Sequence, residues 1–87
     1  MTDSFRRHSR SLTAPPEHGT AVVPDDLRDL PAVTRALYVG GAGDLAVVMA
    51  DGTRLVFGAV PAGTLLPVRV ARVLATGTGA SRLVGLW

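Results

Sequence analysis

From Arg35 onward the sequence is a series of short apolar runs cut by turn signals about every 8 to 12 residues, the spacing of an all-β sandwich or barrel. Arg35-Ala36-Leu37-Tyr38-Val39 runs into Gly40-Gly41-Ala42-Gly43, and Asp44-Leu45-Ala46-Val47-Val48-Met49-Ala50 into Asp51-Gly52. Asp-Gly between apolar runs is a two-residue hairpin signal, because both central positions favour positive φ. Thr53 to Phe57 forms the next run, and Pro61-Ala62-Gly63 has the residue placement of a type I turn. A long run from Thr64 to Ala75 ends in Thr76-Gly77-Thr78-Gly79-Ala80, and Ser81 to Trp87 reads as the last strand. Gly19 to Val23 predicts one more strand, stopped by Pro24. Both glycine-rich stretches read as hairpin loops. Helical periodicity is weak, and Asp25 to Leu30 offers at most a single turn before Pro31. The predicted fold is a small antiparallel β-sandwich or barrel.

The strands are apolar on both faces. With one wet face, alternate residues should be polar. Instead Leu45, Val47 and Met49 occupy one side of their run, and Ala46, Val48 and Ala50 the other. In the long run, Val68 and Val70 share a face with Arg72 and Leu74, and Arg69, Ala71 and Val73 share the opposite one. Tyr38 and Phe57 lie in apolar runs that suit a core.

Size sharpens the point. The chain has 87 residues, enough for one domain, and its composition shifts near Gly19. Residues 1–18 hold three arginines, both histidines and Pro15-Pro16, which predicts an extended N-terminal arm ahead of a β domain over 19–87. Below about 70–80 residues one core rarely supplies more than about 3–5 kcal/mol, and disulfides, metals or oligomerisation make up the rest. Cysteine is absent, and His8 and His18 both lie in the arm. Association into a homo-oligomer is the remaining route.

Chemistry is sparsely represented. Ser4, Ser9 and Ser11 share the arm with the histidines, where catalytic geometry is hard to hold, and Ser81 has no histidine in the folded part. Asp25, Asp26 and Asp29 form a cluster whose spacing fails the calcium-loop pattern, and beside Pro24 and Pro31 they read as Asx-turn or capping residues. Neither glycine-rich stretch has phosphate-loop order. No catalytic residue, cofactor, metal or small-molecule substrate is therefore expected. Without a long apolar run or a secretory signal, the expectation is a non-membrane protein of the cytoplasm.

All nine basic residues are arginine. The guanidinium fork suits carboxylates and phosphates, but a formal charge of +2 is small, and only Phe5 among the aromatics neighbours arginines. Nucleic acid is disfavoured on that ground, although a nucleic-acid-binding barrel stays open as an alternative. Phe5, Arg6, Arg7 and Arg10 combine an apolar anchor with three forks, which suits attachment to a partner surface offering carboxylates and a hydrophobic slot. Arg69 and Arg72 interrupt the longest apolar run and must reach water, an acidic residue or a neighbouring subunit. Trp87, after Leu83-Val84-Gly85-Leu86, predicts a final strand that stays paired and buried; with the two arginines it is a subunit-interface candidate.

These residues carry a family resemblance. Asp29-Leu30-Pro31, Arg35-Ala36-Leu37-Tyr38-Val39-Gly40, Gly43-Asp44-Leu45-Ala46-Val47, the run from Val60 to Val70, Val73-Leu74-Ala75-Thr76-Gly77-Thr78 and Leu86-Trp87 together resemble the head spike base protein of gene transfer agents and related tailed phages. The likeness covers residues 19–87, and the arm matches loosely through Ser11-Leu12 and Pro15. Gly79 departs from it, since relatives often carry threonine there. The resemblance implies a virion structural protein that assembles in the cytoplasm and ends at the capsid vertex of a phage-like particle. It further implies a ring, with a pentamer favoured, between the major capsid protein and a spike fibre protein. A tail or baseplate component is the nearest structural alternative.

Overall fold

The computed structural model describes residues 15–87, so Phe5, Arg6, Arg7 and Arg10 lie outside the described residues. The described part is all-β, with strands β1 (Gly19–Val22), β2 (Ala36–Gly41), β3 (Gly43–Met49), β4 (Arg54–Val60), β5 (Thr64–Leu66), β6 (Val70–Val73) and β7 (Ser81–Leu86). They form two antiparallel sheets, one of order β1-β7-β2-β5 and one of order β4-β3-β6. Leu37, Val39 and Leu83 from the first sheet meet Leu45, Val47, Val70 and Val73 from the second, and these residues form the core. The expected small sandwich is the observed architecture.

The chain changes sheets where hairpins were expected. β2 ends at Gly41 and β3 begins at Gly43 in the other sheet, so Gly40 to Gly43 is a corner and not a hairpin loop. A corner this short forces backbone against backbone: a Cβ on Gly43 would stand 2.6 Å from the Ala80 nitrogen. Residues 74–80 likewise join β6 to β7 across the two sheets, crossing the outside of β3, where Gly77 lies against Ala46.

The predicted long strand is also divided. Pro67 has no N–H to give a ladder, and around it the Val68 N–H donates to the Leu66 carbonyl at 2.9 Å in a three-residue turn. β5 stays in the first sheet while β6 crosses to the second. Thr34, buried to 0% exposure, secures this crossing. Its hydroxyl donates to the Val68 carbonyl at 2.8 Å and accepts from the Val70 N–H at 3.0 Å. Its own N–H donates to the Val70 carbonyl at 3.1 Å. In β6 the alternation expected from the sequence fails. The register with β3 slips between Val48 and Met49, so Val70 and Val73 both point inward although three residues apart.

The Asp51-Gly52 hairpin forms between β3 and β4, with three loop residues and not two. The Gly52 N–H donates to the Met49 carbonyl, and Gly52 alone takes positive φ, 92°. Asp51 instead turns its carboxylate to the Thr53 N–H at 2.9 Å. Residues 25–34 form no helical turn; they run as a strap along the free edge of β6. The N–H groups of Asp25, Leu30 and Thr34 donate to the carbonyls of Val73, Ala71 and Val70.

Candidate assembly surface

Register places the side chains of the four-stranded sheet without ambiguity. Leu37 pairs with Gly85 and Val39 with Leu83, and all four are buried. The intervening residues face outward: Ala21 pairs with Val84, Val84 with Tyr38, and Tyr38 with Leu65. These four make one apolar row across the whole sheet. Tyr38 is 40% exposed and Leu65 56% exposed, so Tyr38 belongs to this outer face and not to the core. Gly19, Leu86 and Ala36 form a second row beside it, where Ala36 is buried and Leu86 half-buried. The sequence pattern that left both strand faces apolar here becomes a surface that the described residues leave open along Tyr38 and Leu65. Isolated exposed apolar side chains are ordinary, but a contiguous sheet face of them marks a contact.

The second sheet has a smaller counterpart. β4 is an edge left uncovered among the described residues, with Val56 62% exposed on the outer side, while the other edge lies under the strap. Leu55, with Met49 and Arg69, lines an open groove of about 320 Å³ at the hairpin end. Phe57 is half-buried and packs against the core, as its run suggested.

The strap is fastened by the acidic cluster. Asp25 accepts the Leu27 N–H at 2.8 Å, the Asx-turn its position suggested. Asp26 accepts the Thr76 N–H at 2.9 Å and the Thr76 hydroxyl at 2.6 Å. Asp29 pairs with the Arg72 Nε at 2.8 Å, and Arg72 also donates to the Asp26 carbonyl at 2.9 Å. An exposed pair of this kind is worth at most about 1 kcal/mol, so its effect is to orient the strap.

The Thr76 hydrogen bonds hold the Asp26 carboxyl below its ordinary value of 3.8, and the Thr53 N–H does the same for Asp51. A carboxyl that binds its proton more weakly when folded contributes stability above pH 3.8, and that contribution disappears as the pH falls through the folded value. The melting temperature of Asp26→Asn is therefore expected to lie below that of the native chain at neutral pH. Thermal melts in steps from neutral pH to well below pH 3.8 should show the gap closing only under that pH; a gap that stays constant over the whole range would contradict the assignment.

The three folded interface candidates occupy different places. Arg72 finds its carboxylate in its own chain. Arg69 is exposed at the rim of the groove. Trp87 is half-buried, with its ring 6.2 Å from that of His18 and its N–H donating to the His18 carbonyl at 2.8 Å; its carbonyl accepts the N–H groups of Glu17 and His18. Sequence reasoning did not single out Tyr38, Leu65 or Val56 as surface residues. The available signal was the missing polar alternation, which marks a strand as doubly apolar without telling which face is left bare.

No family model and no curated protein matches the chain. Among solved structures, a chain from the capsid of a native GTA (gene transfer agent) particle computed with C5 symmetry is similar to it. The identity is 38% and the TM-score 0.79, over 99% of this chain and 100% of that one. Identity at this level along both full lengths carries beyond a shared sandwich: the chain belongs to a family of gene transfer agent capsid components.

Proposed function

We propose that this protein is the base of a head spike: a homo-oligomeric ring, pentameric, that joins a capsid vertex to a spike fibre. The observation that carries the reading is the apolar row of the four-stranded sheet that the described residues leave exposed at Tyr38 and Leu65, on a chain whose full-length relative sits in a gene transfer agent capsid. A cyclic ring is the economical way for identical copies to shelter such faces. In this reading Phe5, Arg6, Arg7 and Arg10 fasten the ring to the major capsid protein through carboxylates and an apolar slot. Arg69 is free to lean toward a neighbouring subunit, while Arg72 and Trp87 brace their own chain. Copies form in the cytoplasm and finish on the particle. The role is structural, without a substrate.

Native mass spectrometry of the purified protein should report five copies, and a stable species of another size would remove the pentamer. Deleting residues 1–12 is expected to leave that ring intact and abolish its binding to capsids. Undiminished capsid decoration by the truncated protein would reject the attachment role of the arm.

A further inference from the structure

We propose that the contact between neighbouring copies is head-to-tail: the outer face of the four-stranded sheet of one copy receives the β4 margin of the next. The inference rests on the oligomer reading above and adds the two surfaces and their orientation. In a sandwich the outer faces of the two sheets point in opposite directions, so the Tyr38–Leu65 row and Val56 lie on opposite sides of one chain. Two different apolar surfaces on opposite sides form a heterologous pair, the kind of contact from which odd rings close.

Charge agrees with this pairing. On the first face Arg82 lies at one end of β7, over Gly40, and exposed Glu17 stands at the other end, where its N–H meets Trp87. They are separated by about 17 Å of extended chain. On the second, exposed Asp44 stands at one end of β3, and exposed Arg54, paired in register with Val48, marks the other, about 14 Å away. Asp44 uses one oxygen on the Ala59 N–H, and Arg54 exerts a weak pull on Asp26. The first face thus runs apolar between its cation and its anion, and on the second Val56 stands between them on β4, beside the 74–80 crossing that covers Ala46. Laid together in one sense, Arg82 meets Asp44 and Glu17 meets Arg54; the reversed sense sets like charges together.

Area agrees as well. Four strands about 4.8 Å apart and two apolar rows of outward side chains about 6.8 Å apart make a face of about 260 Å². A stable two-body contact uses about 800 Å² per partner. One such face is small for an isolated dimer, whereas a closed ring gives every chain two contacts.

The absence of cysteine makes the test direct. Tyr38→Cys and Val56→Cys sit on the two faces, and both sites are exposed. With a short-armed bismaleimide, the double variant is expected to yield a ladder of covalent multimers ending at the ring size, and each single variant none. Covalent dimers from either single variant would establish a face-to-itself contact and overturn the proposal. So would a double variant that still forms rings but gives no ladder. A second pair guards against a folding defect: Glu17→Arg should weaken the ring, and adding Arg54→Glu should restore it. Failure of the double charge variant to regain what the single lost would also overturn the pairing. An unmodified chain that stays single at every concentration removes the oligomer reading itself, a result distinct from the others.

Discussion

Replacing Thr34 by valine is expected to lower stability by about 2–4 kcal/mol, most of what a core of this size supplies. Valine keeps the shape and deletes the hydroxyl, which leaves the Val68 carbonyl and the Val70 N–H without their partner where the chain changes sheets. The site is sealed, at 0% exposure, so water has no easy route to replace the lost bonds. Thr34→Ser is the contrasting change. It keeps both hydrogen bonds and loses a methyl group that packs over Gly85, at a cost of about 1 kcal/mol. Urea unfolding of the two variants at one fixed protein concentration separates the contributions. Equal losses would mean that the hydroxyl secures the crossing no more than the methyl group does, and would contradict its assigned role.

Gly43→Ala is expected to be at least as damaging, by more than about 3 kcal/mol, through overpacking and strain. The new Cβ would stand 2.6 Å from both the Ala80 nitrogen and the Gly79 carbonyl carbon, with φ at 156°. Those atoms are backbone and cannot rotate aside, and they are held in place because the Gly79 and Ala80 N–H groups donate to the Asp44 carbonyl at 2.8 and 3.0 Å. Gly52→Ala provides the measure of pure backbone strain. There φ is 92° but nothing lies within 4 Å of the added carbon, so about 1–2 kcal/mol is expected. Circular dichroism melts should find the alanine at 52 folded and the alanine at 43 largely unfolded. Similar melting temperatures would contradict the close crossing.

Both residues show where sequence reasoning reached and where it stopped. Turn spacing carried the all-β class, and the apolar runs located β2, β3, β4 and β7, because strand length and strand punctuation are local properties. Assignment of a strand to one sheet or the other is not local. Gly40 to Gly43 has the composition of a hairpin loop, yet serves as a corner because β2 pairs with β7 and β5 while β3 pairs with β4 and β6. Pro67 did carry a legible signal: a residue without an N–H inside an apolar run argues for two strands. Thr34 carried none, since a lone threonine between Val33 and Arg35 does not announce that it will bridge residues more than thirty positions away. The acidic cluster was half legible. Its Asx-turn follows from spacing, whereas Thr76 and Arg72 as partners follow from the fold alone. Of the candidate surface, doubly apolar strands could be read directly, but the bare face needed the register.

The physical core of the account is that this β-sheet face needs a neighbouring molecule to cover it. A dilution series followed by sedimentation velocity, with hydrogen exchange at each concentration, tests this most directly. Rings are expected to come apart on dilution, and amide protection in β2, β5 and β7 to fall with them. A dispersed single-copy species that keeps full protection at the lowest concentration would contradict it.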